Sequence, residues 1–238
     1  MTATIYEQDP IPTNEVLPPV NRGEKHLMIA LLADASQSTT GKCNQELNEG
    51  LTTFYQCLQE DEKALGSCDI QIVEFNSEVK TTMPFRPAEA FEPVNIIPSG
   101  LTCGNQAIIE TLEGLRNRKA TYKSQGIGYY APVVVCFTDG AFTDDEYYEQ
   151  ARNELQTAIA NRKITFLPFA IGEYADVEAL KTYYPDNHAQ KIVFKVTKEN
   201  LKECFVWISA SVNSILNSKP DQKSISAPQL PIDIELTC

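Results

Sequence analysis

Three short polar segments of the sequence contain the residues whose types and spacing are suited to chemistry. In the first, Asp34-Ala35-Ser36-Gln37-Ser38, an acid and two serines occupy alternate positions. The second, residues 100–105, contains Thr102, and the third is Thr138-Asp139-Gly140. Carboxylates and hydroxyls are hard oxygen ligands of the kind that suit Mg²⁺ or Mn²⁺. Because alternate residues of an extended turn face the same way, the acid and both serines of the first segment can converge on one ion.

Each segment adjoins a strand or a helix that the hydrophobic pattern predicts. Residues 26–33 and 133–137 are continuous apolar runs, typical of strands buried on both faces, and they directly precede the first and third segments. Two further strands are closely joined at Asn76-Ser77, which indicates an antiparallel pair, and a later one carries Pro168, which indicates an edge or a bulge. The predicted strands cover residues 26–33, 69–75, 78–85, 133–137, 164–171 and 191–196.

Apolar residues at steps of three and four predict helices between these strands, over about residues 43–58, 108–115, 148–159 and 201–215. Thr143, followed by Glu146, has the form of a capping box at the start of the third helix. Alternating strands and helices predict an α/β fold with a doubly wound, mostly parallel six-stranded sheet, one antiparallel strand and helices on both faces. Ligands of such sheets bind beyond the carboxyl ends of the strands, where all three segments are expected to open.

Composition excludes several classes of protein. The chain has 238 residues, with 20 basic and 32 acidic side chains and a net charge of −12, which disfavours binding to nucleic acid or to an anionic membrane. Its two histidines exclude histidine-rich zinc sites, and its seven scattered cysteines form no CxxC pair and suit reduced thiols in the cytoplasm. The longest apolar run, residues 27–33, is far shorter than the roughly 18 residues of a membrane span. We therefore expect a cytoplasmic protein.

Proline-rich stretches at both ends suggest the domain organisation. Residues 1–24 contain four prolines and no periodicity, and we expect an extended leader there. Residues 219–238 have a similar character, and we expect a flexible tail. One domain is predicted between them, over residues 25–218.

Each polar segment also has a purely structural interpretation. Asp34 and Ser36 can cap the helix that follows, Thr102 can cap its own helix, and Asp139 with the next glycine forms an ordinary turn dipeptide. Taken singly, these interpretations are the commoner ones. The predicted placement of all three segments at one end of the same sheet favours a shared site.

The same segments carry a family resemblance. HLMIALLADASQS, GLTCGNQAI and VVVCFTDG resemble the three segments of a von Willebrand factor A domain, over roughly residues 25–217. The metal-ion-dependent adhesion site (MIDAS) of that family has a D-x-S-x-S motif, a separate threonine and a T-D-G aspartate. All five positions are present here: Asp34, Ser36, Ser38, Thr102 and Asp139. TDGAFTDD at 138–145 and FVWISASV at 205–212 are similar to the TerY-type subfamily linked to tellurium resistance.

The resemblance implies binding, not turnover. It implies that Ser36 and Ser38 bind the metal directly, that Thr102 binds directly or through water, and that both aspartates act through water. An Asp or Glu of a protein partner then completes the coordination sphere, and the net acidity of this chain suggests that the rest of the partner's surface is more basic. The TerY-type likeness implies a stress-response system with an associated protein kinase or phosphatase.

Four residues depart from the family pattern. Gln37 and Thr39 stand where the family usually has Gly and Met, and Phe142 replaces a usual Pro. We predict that these three contact the partner, although phenylalanine is more often a core residue. Asn105 takes a usual Gly position, where asparagine tolerates a left-handed backbone.

Three other functions stay open at this stage. A phosphotransfer enzyme with an aspartate nucleophile would need a second Asp two residues after Asp34, where Ser36 stands. A thiol enzyme would need a base near Cys103 or Cys136, and His26 is predicted at the opposite end of the sheet. A metal-free scaffold would use the polar segments for capping alone.

Overall fold

The computed structural model describes residues 19, 23–140, 142–218, 228–231 and 234–237. Seven strands form one sheet in the order β3-β2-β1-β4-β5-β6-β7. The strands are β1 (Leu27–Asp34), β2 (Cys68–Phe75), β3 (Val79–Pro87), β4 (Val133–Thr138), β5 (Thr165–Ile171), β6 (Val193–Val196) and β7 (Ile234–Thr237). The five inner strands run parallel, and β3 and β7 are antiparallel to their neighbours at the two edges. This confirms the doubly wound α/β fold.

The predicted strand number is wrong, because β7 comes from the segment assigned to a flexible tail. Its four residues pair with all four of β6, and the Thr237 hydroxyl donates to the Val193 carbonyl at 2.9 Å. Just before this strand, Trp207 Nε1 donates to the Pro228 carbonyl at 3.1 Å. The apolar pattern around Ile234 is too short, and its surroundings too polar, to predict a strand. It becomes one because the outer edge of β6 leaves backbone groups to pair.

The helices are α1 (Lys42–Gln59), α2 (Glu62–Ser67), α3 (Gly104–Ser124), α4 (Tyr148–Ala160), α5 (Val177–Lys181) and α6 (Leu201–Leu216). The short helices α2 and α5 were not predicted. Every residue of β1 is buried, with Leu27, Ile29 and Leu31 in the apolar cluster under α1 and α6, and Met28 and Ala30 in the cluster under α3 and α4. The inner strand β1 therefore supplies two cores, which explains its unbroken apolar sequence.

Pro168 lies inside the sheet, in β5, opposite Cys136 of β4. Strand β6 pairs only with residues 169–171 of β5, so the side of β5 away from β4 has no strand beside Pro168. The prediction of an edge strand or a bulge is wrong, because β5 lies between β4 and β6 and its register with both strands is regular. Proline is accommodated at a position that has a strand on one side only.

Gly50 marks the closest approach of α1 to α6, and replacing it tests that packing. A Cβ at Gly50 would lie 2.2 Å from Cδ2 of Phe205, a ring that is fully buried. We expect Gly50→Ala to lower the free energy of unfolding by about 1–3 kcal/mol, measured by urea denaturation. Thr52→Ala, on the exposed side of the same helix, is the control, with an expected change within about 0.5 kcal/mol. Equal stability of the two variants would contradict this packing.

Within the described ranges, no helix combines the length and the apolar character that crossing a membrane requires. The predicted leader lies almost wholly outside the described residues, and the boundaries at 24 and 218 stay predictions.

Candidate metal centre

The first polar segment continues directly from β1 as a tight turn. Asp34 is the last residue of the strand, and residues Gln37–Thr39 form a turn of 3₁₀ helix. The hydroxyl oxygens of Ser36 and Ser38 lie 2.9 Å apart, so the two serines converge as predicted. Ser36 is buried whereas Ser38 is exposed. The hydroxyl pair therefore opens to solvent on one side, which a metal or a partner could approach.

Asp34 joins the first segment to the third. Its side chain is completely buried; Oδ1 accepts from the Ser36 amide at 2.9 Å, and Oδ2 accepts from the Thr138 hydroxyl at 2.8 Å. Thr138 is the last residue of β4, the strand beside β1. Its hydroxyl in turn accepts from the Gly140 amide at 3.0 Å. The aspartate is thus held in one orientation by both loops.

Backbone hydrogen bonds fasten the second segment to the first and to Thr143, which follows the third. The Gln37 amide donates to the Gly100 carbonyl at 3.1 Å, and the Ser99 amide donates to the Ala35 carbonyl at 2.8 Å. On the other side, the Thr143 amide donates to the Thr102 carbonyl at 2.9 Å. The structure therefore brings all three predicted segments together at the carboxyl edge of the sheet.

Gly140 allows the third segment to turn sharply after Asp139. Its φ of +87° lies in the left-handed region, and a Cβ there would lie 2.6 Å from the Asp176 carbonyl oxygen. The Asp176 amide also donates to the Asp139 carbonyl at 2.7 Å. Only glycine meets both conditions at this position. Asp139 itself is half-buried, beside the buried Asp34.

Asp144 anchors the N-terminus of α3, and the predicted capping box is wrong. The Asp144 carboxylate accepts from the backbone amides of Asn105 at 3.1 Å and Gln106 at 2.8 Å, in the first turn of α3. The α4 helix starts only at Tyr148, after a 3₁₀ turn. Asn105 is helical with a negative φ, so the expected left-handed backbone is also absent there. Both local patterns were overridden by a contact across 39 residues.

Asp144→Ala distinguishes this long-range cap from the local one. We expect it to lower the free energy of unfolding by about 2 kcal/mol, because two helix amides lose their acceptor and the buried Asn105 side-chain amide keeps only the Asp144 backbone carbonyl as its acceptor. Glu146→Ala, which would break a local capping box, is expected to change stability by less than about 0.5 kcal/mol. Thermal unfolding of both variants measures these changes. A larger loss of stability in Glu146→Ala than in Asp144→Ala would support the local capping box instead.

The donor set fits a hard divalent cation. Burial raises the pKa of Asp34 to about 6, and the charge of Asp139 acts in the same direction, while hydrogen bonds from Ser36 and Thr138 oppose the rise. A cation between the carboxylates would remove that penalty. No cluster of three or more His, Cys, Asp or Glu suited to a metal occurs among the described residues. Any metal at this edge would thus be held largely by hydroxyls, with two carboxylates to balance its charge.

The three residues predicted to contact a partner occupy different environments. Gln37 is exposed at the rim of the site. Thr39 is 2% exposed, and its hydroxyl donates to the Ser36 carbonyl at 2.8 Å, so it holds the turn and has no surface to offer a partner. Phe142 is half-buried, with its ring 5.9 Å from those of Phe75 and Tyr183. Phe142 therefore acts mainly as a packing residue.

Two features of the rim were missed in the sequence. Lys198 Nζ donates to the Ser38 carbonyl at 3.4 Å, although the two residues are 160 positions apart. Large apolar side chains are also exposed on the loops of this edge, namely Ile97, Leu101, Tyr147 and Tyr174, which make up four of the six found among the described residues. Leu101 directly precedes Thr102. Ile97 and Leu101 could have been noticed from their chain positions at the second segment, whereas nothing in the local sequence points to Tyr174 or Lys198.

The thiol alternative finds no support in the surroundings of the cysteines. Burial raises the pKa of Cys103 and Cys136, whereas a nucleophilic thiol needs a lowered pKa. His26 lies at the start of β1, at the opposite end of the sheet, within 3.9 Å of Asp69. His188 stacks on Tyr184, with ring centroids 5.3 Å apart.

Comparison with solved structures identifies the fold. The type V pili tip protein Mfa5 of Porphyromonas gingivalis has a von Willebrand factor domain that matches 84% of this chain and 99% of its own, at 12% identity and a TM-score of 0.60. A von Willebrand factor type A protein from Catenulispora acidiphila matches 80% of this chain at 14% identity and a TM-score of 0.59. Proximal thread matrix protein 1 of the mussel byssus matches 78%, at 14% identity and a TM-score of 0.57.

The chain therefore has the fold of von Willebrand factor A domains. It spans less than half the length of the Catenulispora and mussel proteins, 43% and 46% respectively. No protein-family model and no curated protein sequence matches the chain.

Proposed function

We propose that this chain is a von Willebrand factor A domain that binds a divalent cation, Mg²⁺ or Mn²⁺, and through it a carboxylate of a protein partner. The observation that carries the proposal is the interlocked geometry around Asp34, whose carboxylate is fixed by Ser36 and Thr138 beside the converging hydroxyls of Ser36 and Ser38. Thr102 and Asp139 complete the donor set from the two adjoining loops. A second form of the mussel protein, with a TM-score of 0.50, has a zinc-occupied MIDAS motif, which supports a metal at this position.

The chemistry of the donors favours binding of a second carboxylate. A bound dication would polarise an incoming oxygen ligand, and a cation held largely by neutral hydroxyls retains charge to attract it. Lys198, at the Ser38 carbonyl, adds positive charge at the rim. The exposed apolar side chains Ile97, Leu101, Tyr147 and Tyr174 would surround that contact. We therefore propose a partner that presents an Asp or Glu within an apolar surface.

Metal titration tests the proposal. We expect Mg²⁺ or Mn²⁺ at about 100 times its Kd to stabilise the wild type by about 2.7 kcal/mol, measured by thermal shift and calorimetry. Asp139→Ala is expected to lose this stabilisation, and Asp145→Ala, an exposed acid of the following turn, is expected to retain it. Absence of any metal effect on the wild type would favour the metal-free scaffold.

A binder and an enzyme differ in turnover. We expect the purified, metal-loaded protein to show no phosphatase or kinase activity, because Ser36 stands where a phosphotransfer enzyme needs its acid. Metal-dependent turnover that disappears in Asp34→Asn would instead support the phosphotransfer alternative. The TerY-type assignment, the link to tellurium resistance and the kinase or phosphatase partner stay predictions from the resemblance.

A further inference from the structure

A basic cavity lies at the end of the sheet opposite the candidate metal centre. It has a volume of about 510 Å³ and opens between the C-terminal half of α3 and the loops that precede β4 and β5. Five of the chain's 20 lysines and arginines line it, and none of the described lining residues is acidic. These cations are Arg116, Lys119, Lys123, Arg162 and Lys163. Such a concentration is unexpected in a chain with a net charge of −12.

Most of this charge is not neutralised within the protein. Arg116 pairs with Glu154 at 2.9 Å, but no ion pair of the described residues involves the other four cations. Lys119 Nζ donates to the Lys163 carbonyl at 3.1 Å. Burial lowers the pKa of Lys119, and the charges of Lys163 and Lys123 lower it further. The cations therefore repel one another, and a multivalent anion would relieve that repulsion.

The backbone of Arg162 is a second, independent observation. Among the described residues, Arg162 is the one non-glycine residue with a positive φ, +52°. Its amide donates to the Ile159 carbonyl and the Lys163 amide donates to the Ala158 carbonyl, both at 2.9 Å. These are the hydrogen bonds of a Schellman motif, in which the left-handed residue is usually glycine. An arginine held there, with its side chain on the cavity, indicates that the side chain is needed for another purpose than the turn.

We propose that this cavity binds the polyphosphate group of a small molecule, either a free polyphosphate or a nucleotide. Lysine and arginine are the usual ligands of phosphate oxygens, and the volume lies in the range of small-molecule sites, about 300–1,000 Å³. Several negative charges in a compact group match four unneutralised cations around one cavity. A long polyanion such as RNA would extend beyond the cavity and be repelled by the rest of the protein, which is acidic overall. Tyr129 and Tyr130 also line the cavity; Tyr129 packs against Tyr122, with ring centroids 5.8 Å apart, and Lys25 Nζ lies 5.6 Å from the centre of the Tyr130 ring.

Calorimetry with tripolyphosphate and with ATP, in EDTA so that no metal contributes, tests the proposal. We expect saturable binding by the wild type and a loss of about fivefold or more in affinity for Lys119→Met and Arg162→Gly. Lys202→Met, an exposed lysine on α6 at the other face of the sheet, is the matched control and is expected to bind like the wild type. Equal affinity for tripolyphosphate and ATP would show that the cavity recognises the phosphates alone. Tighter binding of ATP would show that it also recognises the nucleoside, and so favours a nucleotide ligand.

Arg162→Gly also separates binding from folding. Because glycine suits the left-handed position, its melting temperature is expected to equal or exceed that of the wild type, so a loss of binding cannot be attributed to unfolding. The absence of saturable binding to either probe below about 1 mM would overturn the proposal, as would wild-type affinity in Arg162→Gly.

Discussion

Asp34→Asn is expected to abolish most metal binding while making the metal-free protein more stable. The Asp34 carboxylate is fully buried near Asp139, and burial raises its pKa from 3.8 to about 6. Such a group opposes folding by about 3 kcal/mol at neutral pH. Asparagine removes that charge but loses the hydrogen bond from Thr138, so we expect a net gain of about 1–2 kcal/mol. Affinity for Mg²⁺ is expected to fall by about 10- to 100-fold.

The stability difference between Asp34→Asn and the wild type is expected to depend on pH. Because the folded pKa of Asp34 lies above its unfolded value, the penalty is absent below pH 3.8 and complete above about pH 6. The stability advantage of Asp34→Asn in metal-free buffer should therefore grow as the pH rises between these values and then level off. Thermal unfolding across that range measures it, with Asp145→Asn as an exposed control. A variant less stable than the wild type at pH 7.5 would show that the site needs the charge even without metal.

The second large effect is expected at the opposite end of the sheet, in a buried ion pair. Arg118 of α3 and Asp69 of β2 are both at most 2% exposed, and the Tyr122 hydroxyl donates to the same carboxylate. Arg118→Met leaves Asp69 charged in the core, close to His26. We expect the free energy of unfolding to fall by about 3–5 kcal/mol, measured by urea denaturation.

Three further variants make this prediction specific: Arg116→Met, Asp69→Asn alone, and Asp69→Asn combined with Arg118→Met. Arg116→Met removes an exposed ion pair from the same helix and is expected to cost less than about 1 kcal/mol. The double variant Asp69→Asn with Arg118→Met is expected to be more stable than Arg118→Met alone, because no charge is then left unpaired in the core. If the double variant shows the sum of the two single losses, the pair is not coupled and the prediction fails.

Local sequence patterns predicted the framework of the fold well. The apolar run of β1 lies inside the sheet, between β2 and β4, and supplies both cores, and the 3- and 4-residue spacing placed α1, α3, α4 and α6 correctly. These signals work because burial of apolar area dominates folding, so apolar residues recur with the period of the helix or strand that turns one face to the core. The strand β7 escaped prediction because it owes its conformation to the open edge of β6 and not to its own composition.

For the candidate site, residue types and their order along the chain predict that Asp34, Ser36, Ser38 and Asp139 share one edge, because they follow the parallel strands β1 and β4. Thr102 follows the antiparallel strand β3 and is brought to that edge by the loop before α3. Their role as metal ligands stays a prediction. Tertiary contacts decided what each neighbour does. Asp144 caps α3 and not α4, Thr39 turns inward, Phe142 packs, and Lys198 arrives from 160 residues away. These roles are set by side-chain burial and by hydrogen-bond partners that are distant in the sequence. Both depend on how loops from different strands meet, which a local sequence pattern does not record.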